Sequence, residues 1–468
     1  MFRRLFDSPW PYFVGAGLLL LAAIASQFEI DTPSRPEGTP ADIQTLAERD
    51  DLSVVFVLID TLRADRVGAY GYERNTTPNL DALVSQGILF KNVEAQSSWT
   101  KASMASIWTG TLPANTGIVR YNDVLPEEAK LPAELFHDAG YRTAGIWRNG
   151  WVAPNFGFGQ GFDQYINPKA GRERLRIQSK HPSGRILQGT DEDIVLSAFE
   201  FLDAFGKDRF FLYMHFMDLH QYVYDDAAPE WGNSYSDSYD KSLAWTDRLI
   251  GAIVNRIEEI GEFDNTVIVI MADHGEAFQE HGIEGHARNL HTEVTKVPAL
   301  IVLPFRLPQS IVVEEKVSNI DIWPTVLDML GLPELPNADG KSLMPLVMAS
   351  AGIGSGDESL ERTRYSHLDR RWGTPNVSDP MIAVQDGDKR ILWRANNPER
   401  SKLFDVRKDP GEQQDLYSED DPDAVRLAGM AKAYLEVAES PWGVETPKIE
   451  LDELRLNQLR ALGYVIRP

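Results

Sequence analysis

Residues 52–60 read LSVVFVLID, an apolar run rich in β-branched residues that stops at an aspartate. Such runs are typical of strands that are buried on both faces of a parallel sheet. A second run, 266–271 (TVIVIM), leads within two residues into an aspartate and a histidine. Ligands of open α/β sheets bind beyond the carboxyl ends of the strands. The two runs therefore predict a parallel sheet whose binding edge carries Asp60, Asp273 and His274.

Strand and helix patterns alternate along most of the chain. Further strand candidates are 143–147, 210–216 and 299–303, and apolar residues at helical spacing predict helices over 191–205 and 239–260. This alternation predicts an α/β domain with a mainly parallel sheet.

Composition changes predict four parts of the chain. We expect an N-terminal signal segment over 1–30, a polar linker over 31–50, a catalytic domain over 51–350, and a C-terminal subdomain with a tail over 351–468.

The charge balance restricts the partners of the protein. The chain has 46 basic and 70 acidic residues and a formal net charge of −24, which argues against nucleic acid or an anionic membrane surface as a partner. An anionic substrate stays possible, because a metal ion can set the local field in an acidic protein. With no cysteine in the chain, disulfides, thiol catalysis and cysteine-bound metals are excluded.

The N-terminus predicts export. Arg3 and Arg4 precede an apolar run over 9–28, close to the ~20 residues that span a bilayer, and this charge pattern favours an exported body. Small residues at 23–25 (AIA) resemble a cleavage site. Two alternatives follow: a membrane anchor facing the periplasm or cell exterior, which would be the protein's only membrane contact, or a cleaved signal peptide and a secreted protein.

The stretch 97–113 (SSWTKASMASIWTGTLP) predicts a short helix that starts at Thr100 and ends at Gly110. Thr100 has two interpretations. It is either an N-cap, as threonine commonly is, or a nucleophile at a helix end that attracts anions. Oxygen and imidazole ligands nearby suit a divalent cation, which can activate a hydroxyl group. This combination favours the nucleophile.

Several motifs in order resemble those of sulfatases in the alkaline phosphatase superfamily. They are the run 54–92, the S-W-T…T-G element, 273-DHGEAFQEHG-282, the V-P-A-L-I-V strand and 403-LFDVRKDPGEQQDL-416. The resemblance implies an alkaline-phosphatase-like α/β/α sandwich with a mainly parallel central sheet and a smaller C-terminal sheet subdomain. It also implies metal-dependent hydrolysis or transfer of sulfate or phosphate esters.

The resemblance also implies roles for particular residues. Asp60, Asp273 and His274 match positions that hold a divalent metal ion (Ca²⁺, Mn²⁺ or Zn²⁺), and Thr100 matches the nucleophile, which also binds the metal. Two histidines are catalytic candidates. His286 resembles a histidine that often precedes the V-P strand of the family. His220 resembles the histidine of an H-x-P-Y element. Arg288 falls where many sulfatases have a substrate-contacting lysine, and we expect Lys101 to assist it. Of the other histidines, His215 is interpreted as a core residue and His281 as a surface loop residue.

Two departures from the family pattern bear on the chemistry. Sulfatases carry C-x-P-x-R or S-x-P-x-R, whose first residue becomes formylglycine, whereas this chain has Thr100 there and Met104 in place of the arginine. Thr61 also replaces the second residue of the usual Asp-Asp pair. In this superfamily, an unmodified threonine nucleophile is typical of phosphodiesterases and phosphoethanolamine transferases. At its nucleophile position, the chain therefore resembles those enzymes.

Two hypotheses of different classes follow. The first is an exported sulfatase-like hydrolase, or a phosphotransferase, with a threonine nucleophile at one divalent metal ion. The second is a degenerate relative that binds an envelope glycan or lipid without turnover.

Overall fold

The computed structural model describes residues 35–168, 177–179, 189–355, 360, 362–369, 377–436 and 440–450. The chain divides into a unit Met1–Pro36 and a unit Glu37–Pro468. The predicted anchor or signal peptide over 1–30 lies outside the described residues. Within the described residues, no helix is both long enough and apolar enough to cross a membrane.

The residues predicted as a linker include a 3₁₀ helix, Pro40–Glu48, which begins after the capping residue Thr39 and buries Ile43 and Leu46. The predicted boundaries of the four parts stay a prediction.

The second unit contains strands and α-helices in alternation. The strands are β1 Ser53–Ile59, β2 Ile88–Glu94, β3 Arg142–Trp147, β4 Gln164–Ile166, β5 Ile177–Ser179, β6 Phe210–Phe216, β7 Val223–Asp225, β8 Thr266–Met271, β9 Ala277–Phe278, β10 Glu284–Gly285, β11 Lys296–Val302, β12 Ile311–Ser318, β13 Arg364–Asp369, β14 Pro380–Asp386, β15 Lys389–Arg394 and β16 Lys402–Asp405. The helices are α1 Pro78–Val84, α2 Thr100–Thr109, α3 Pro113–Thr116, α4 Pro132–Asp138, α5 Asp191–Phe205, α6 Tyr235–Glu259, α7 Thr292–Thr295, α8 Ile322–Met329, α9 Met344–Ser350 and α10 Pro422–Leu435.

The large sheet has the strand order β12-β2-β11-β8-β1-β6-β3-β4. Neighbouring strands are parallel except for β11, which runs antiparallel to both β2 and β8. The central strands β1, β6 and β8 are buried along their whole lengths, as expected for a sheet covered by helices on both faces. The predicted α/β/α sandwich with a mainly parallel sheet is confirmed.

A smaller antiparallel sheet with the order β13-β14-β15-β16 follows the large one. Helix α10 packs against it, and Leu427 and Tyr434 of this helix share a buried cluster with Ile382 and Trp393. Because β13 donates a backbone hydrogen bond from His367 to Gln96, it joins the segment that leads into α2. The predicted C-terminal sheet is confirmed.

Helix α2 lies in the core, and all of its ten residues are buried. Its small side chains allow close packing, while Trp108 contacts the rings of Phe56, Tyr213 and Trp323. Gly110, with φ of 64°, ends the helix in a left-handed conformation that glycine adopts readily. This packing fixes the position of the first turn of α2.

Candidate active site

The ends of two central strands bring the predicted metal ligands together. Strands β1 and β8 are parallel neighbours, so Asp60 and Asp273 follow them at the same edge of the sheet. One oxygen of each aspartate and one ring nitrogen of His274 lie within 4.8 Å of one another, and all three residues are buried. We call these three residues the strand-end cluster.

The donor atoms of the strand-end cluster fit a divalent cation. Asp60 Oδ1 and Asp273 Oδ2 are buried without a hydrogen-bond partner. His274 Nδ1 lies 3.0 Å from Gly275 O, and donation there leaves Nε2 as an acceptor facing the cluster. Three acceptor atoms thus meet in the protein interior, an arrangement that a bound cation stabilises.

The pKa values of the two aspartates reflect their proximity. Burial and the neighbouring Asp60 carboxylate raise the pKa of Asp273. Burial also acts to raise the pKa of Asp60, but His220, His215 and His274 outweigh it and hold this pKa below its usual range. The Asp60 carboxylate therefore stays ionised, and its negative charge disfavours ionisation of Asp273.

Thr100 is the first residue of α2, and Trp99 holds the N-cap position. The interpretation of Thr100 as an N-cap residue therefore misplaces the cap by one residue. The Thr100 hydroxyl lies 3.2 Å from His274 Nε2 and 3.4 Å from Asn149 Nδ2. Its contacts point into the strand-end cluster, as a nucleophile at that site requires.

Two residues outside the predicted set hold Asp60. Asn149 donates from Nδ2 to Asp60 Oδ2 at 2.5 Å, and His215 Nε2 lies 3.3 Å from the same oxygen. His215 is the buried core histidine that we expected, since Tyr213 OH lies 2.7 Å from its Nδ1, but its second contact orients a predicted ligand. Asn149 lies shortly after the end of β3, as Asp60 lies after the end of β1. It therefore also stands beyond the carboxyl ends of the strands, where ligands of such sheets bind.

Thr61, at the position of the second aspartate in the family, has a different role. Its hydroxyl donates to Asp60 O at 2.6 Å, and its amide donates to Asp273 Oδ1 at 3.3 Å. Its φ of 64° is uncommon for a β-branched residue. Thr61 thus shapes the turn that follows Asp60 and contacts the second predicted aspartate ligand, Asp273.

A row of histidine rings extends from the cluster. The ring centroid of His286 lies 4.6 Å from that of His274 and 4.8 Å from that of His220. His286 Nδ1 is 3.2 Å from Oε1 of Glu276, a buried carboxylate that the sequence motif contained but that we had not assigned to the site. Burial raises the pKa of Glu276 to about 7 and lowers that of His220 to about 4.

The two predicted substrate-binding residues differ in their surroundings. Arg288 is exposed, and the preceding residue Ala287 donates its amide to Ser98 O at 2.8 Å, which holds this loop beside the start of α2. Lys101 is buried, and its ammonium group donates to Tyr121 O at 2.8 Å. The same group lies 3.7 Å from the ring centroid of Phe156. The substrate role of Lys101 stays a prediction.

Comparison with known families agrees with this fold. Residues 53–332 match the sulfatase family, and residues 279–438 match the C-terminal part of the N-sulphoglucosamine sulphohydrolase family. The first match covers more than half of the chain, so this protein belongs to the sulfatase family.

Individual relatives match most of the chain. Arylsulfatase A of Homo sapiens is 25% identical over 476 residues, which cover 86% of this chain and 88% of the relative. An ulvan-active sulfatase of Formosa agariphila is 23% identical over 438 residues, with 85% and 84% covered. The crystal structure of a phosphonate monoester hydrolase of Agrobacterium radiobacter superposes with a TM-score of 0.66 at 19% identity, covering 82% of this chain and 94% of that chain. This last likeness concerns the fold.

Proposed function

We propose that this protein is an exported, metal-dependent hydrolase of sulfate esters that uses Thr100 as its nucleophile. The observation that carries the proposal is the Thr100 hydroxyl, 3.2 Å from His274 Nε2, beside aspartate oxygens that lack hydrogen-bond partners. Family membership supports ester hydrolysis, and the N-terminal sequence pattern supports export.

Asp60, Asp273, His274 and Thr100 would hold one divalent ion, of the Ca²⁺, Mn²⁺ or Zn²⁺ type. Such an ion lowers the pKa of a hydroxyl group and neutralises an ester oxygen. Asn149 and His215 orient Asp60 through its Oδ2, so that Oδ1 faces the ion.

In the first step, Thr100 Oγ attacks the sulfur in line. The Thr100 hydroxyl loses its proton to solvent and the bond from Oγ to sulfur forms. The bond from sulfur to the alcohol oxygen breaks, and the leaving alcohol takes a proton from His286. Glu276 positions the His286 ring for this transfer. His220, Arg288 and Lys101 are the proposed groups that stabilise the remaining sulfuryl oxygens. Water then attacks the sulfur of the threonine sulfate ester and passes one proton to His286. The bond from sulfur to Oγ breaks, hydrogen sulfate leaves, and the Thr100 oxygen regains its proton from solvent.

The choice between sulfate and phosphate esters follows from two opposed observations. The family and the ulvan-active relative favour sulfate esters, with a sulfated glycan as the substrate class. The unmodified threonine and the phosphonate monoester hydrolase fold favour phosphorus. We place sulfate esters first, and phosphate ester hydrolysis or transfer is the alternative that the substrate test separates.

The test is turnover of a panel of sulfate monoesters, phosphate monoesters and phosphodiesters, each with Ca²⁺, Mn²⁺ or Zn²⁺. With the best substrate, Thr100→Ala is expected to lose at least ~10³-fold in kcat while remaining folded, because the attacking atom is removed. Thr100→Ser keeps a hydroxyl group and is expected to retain part of the activity.

Near-normal turnover by folded, metal-loaded Thr100→Ala would remove Thr100 from the mechanism. Turnover of phosphate esters alone, or transfer to an added alcohol, would replace the sulfate assignment. Saturable binding of sulfated glycan or lipid without any turnover would favour the degenerate binder, whose sequence basis is the missing arginine and second aspartate of the family pattern.

A further inference from the structure

An arginine without a role in the proposed reaction follows strand β3. Arg148 is buried, and its guanidinium group makes four contacts of 3.0 Å or less. One amino group donates to Asp191 Oδ1 at 2.8 Å and to Asp218 Oδ1 at 2.6 Å. The other donates to Gly189 O at 2.6 Å and to Gln221 Oε1 at 3.0 Å. We call Arg148, Asp191 and Asp218 the Arg148 ion-pair group.

The two aspartates of this group have a hydrogen-bond donor at every carboxylate oxygen. Asp218 Oδ2 accepts from the amide of Asp191 at 2.9 Å and from Trp245 Nε1 at 2.8 Å. Both oxygens of Asp191 accept from the amide of Met217 at 2.9 Å, and Oδ2 also accepts from the amide of Asp218 at 2.6 Å. The group is rigid, because a change in its geometry would leave a buried charged oxygen without its donor.

The Arg148 ion-pair group holds the turn that carries His220. The amides of Gln221 and Val223 donate to Asp218 O at 3.1 Å and 3.0 Å, so the chain folds back at this position. Arg148 binds the side chains of Asp218 and Gln221, which lie on the two sides of His220 in the sequence. The backbone of His220 is therefore anchored both before and after this residue.

His220 belongs to the row of histidine rings beside the strand-end cluster. It is buried, and its ring centroid lies 4.8 Å from that of His286. A shift of the turn at 218–221 would therefore move this ring relative to the other groups of the site. Arg148 also directly precedes Asn149, which donates to Asp60. The same guanidinium group thus joins the end of β3 to the loop after β6 at the active site.

We propose that Arg148 is a positioning residue that places His220 for its contact with the sulfuryl oxygens of the substrate. This inference rests on the role of His220 in the proposed function. The planar guanidinium fork holds several acceptors in set directions, whereas a lysine ammonium group is a point charge on a flexible stem. Misplacing a group of an active site by about 1 Å can lower turnover by about 100-fold.

The kinetic test compares the full wild-type chain with Arg148→Lys, His220→Ala and the double variant, each with the best substrate and ion of the panel. Arg148→Lys keeps a positive charge beside both carboxylates, but its three N–H donors cannot keep all four contacts of the fork. We expect it to lower kcat by about 10- to 100-fold and to leave KM near the wild-type value. In the His220→Ala background, the same substitution should change kcat by less than about 2-fold, because the group that it positions is gone.

Arg390→Lys is the matched control. Arg390 is also a buried arginine between two carboxylates, 2.9 Å from Glu94 and 2.6 Å from Glu412. Its substitution should have the same effect on kcat with and without His220. Equal losses caused by Arg148→Lys in both backgrounds, or wild-type kcat in Arg148→Lys, would overturn the positioning role.

A second measurement does not need turnover. The Cε1–H NMR signal of His220, identified in a metal-free chain with isotope-labelled histidine by its loss in His220→Ala, should shift in Arg148→Lys and stay in place in Arg390→Lys. An unmoved signal in Arg148→Lys also overturns the proposal. If Arg148→Lys fails to fold, Gln221→Met replaces it in both measurements, because it removes the Oε1 acceptor next to His220 and leaves both ion pairs.

The outcomes separate this inference from the proposed function. A wild-type chain without any turnover, or a His220→Ala chain with normal turnover, contradicts the proposed function, and the NMR signal then decides whether Arg148 places the ring. A loss of kcat that depends on His220, together with a shifted signal, supports both.

Discussion

The strand-end cluster and a second buried group, formed by His281, His291, Glu293 and Glu412, contain similar residue types, but the pKa values of their carboxylates are shifted in opposite directions. His281, interpreted from the sequence as a surface loop residue, is largely buried in this group, with 8% of its side chain exposed. In the strand-end cluster, burial and a like charge raise the pKa of Asp273, and buried oxygens are left without hydrogen-bond partners. In the second group, burial opposes ionisation of Glu412, but Arg390 and His291 outweigh it and lower its pKa. The cation proposed for the first cluster would be external, whereas the second group has a protein cation built in beside Glu412.

This difference teaches that a shared set of histidines and carboxylates does not define a shared role. Arg390 is 1% exposed and bridges Glu412 at 2.6 Å and Glu94 at 2.9 Å. Its second amino group also donates to Leu290 O. The second group is thus part of a fixed ionic framework, while the strand-end cluster keeps buried oxygens without hydrogen-bond partners.

The largest effect on stability is expected from removing the buried guanidinium group of Arg390. Arg390→Met leaves Glu94 and Glu412 buried with one partner fewer each, and the free energy of unfolding should fall by about 3–5 kcal/mol. Chemical denaturation at pH 7 measures the change. Arg407→Met, at an exposed arginine that pairs with Asp388, is the matched control and should leave stability almost unchanged. Equal stability of both variants would contradict the contrast between the two regions.

The pH dependence of stability tests the effect of burial on Glu276, a carboxylate next to the strand-end cluster. Since the folded pKa of Glu276, about 7, lies above its usual value of 4.5, the folded chain binds the proton more tightly than the unfolded chain. The contribution of Glu276 to the stability of the metal-free protein should therefore rise as the pH is lowered from 7 to 4.5, while the lowered pKa of His220 acts in the opposite direction. At ~1.4 kcal/mol per pKa unit, this one group accounts for up to about 3 kcal/mol.

Glu276→Gln removes this contribution, so acidification from pH 7 to 5 should stabilise the variant less, or destabilise it more, than the wild type. Thermal denaturation in chelator at pH 5, 6 and 7 measures the difference. The control is Glu284→Gln at a half-buried carboxylate, which should leave the slope as in the wild type. If the slope of Glu276→Gln equals that of the wild type, burial does not raise the pKa of this carboxylate in the metal-free protein.

A smaller effect is expected from the support of Asp60. Asn149→Ala removes the donor to Asp60 Oδ2 but leaves the three predicted ligands in place. Loss of such an outer contact costs 10- to 100-fold in metal affinity or activity, which corresponds to about 1.4–2.7 kcal/mol. Titration of the bound ion and kcat of the variant measure it. Wild-type affinity and turnover in Asn149→Ala would show that Asp60 is held without this contact.

The sequence predicted the central strands better than the outer ones. Strands β1, β6 and β8 are continuous apolar runs, and their bounds were found within one residue. Strands β2 and β12 were missed because polar residues interrupt them, at Lys91 in β2 and Glu314 in β12. Strand β12 also shifts its register against β2 between Val313 and Lys316, which breaks the regular pattern.

For the site, the sequence predicted the residues that directly follow strands. Asp60, Asp273 and His274 come together because β1 and β8 are neighbours, which the α/β pattern implies. The pairing of Glu276 with His286 depends on the path of a loop, which no periodicity encodes. The contact between His291 and Glu412 joins residues 121 positions apart, and such a contact follows from tertiary packing alone.

The order of strands in the large sheet has a consequence for biosynthesis. Thr61 contacts Asp273 across 212 positions, and Thr100 contacts His274 across 174. Closing such long loops is slow, and a chain still on the ribosome carries its proposed nucleophile long before it carries the second half of the proposed ligand set. Binding of the proposed metal ion would then be a late event that follows completion of the sheet. Any product that stops short of β8 has a threonine at the head of its helix but no means to activate it.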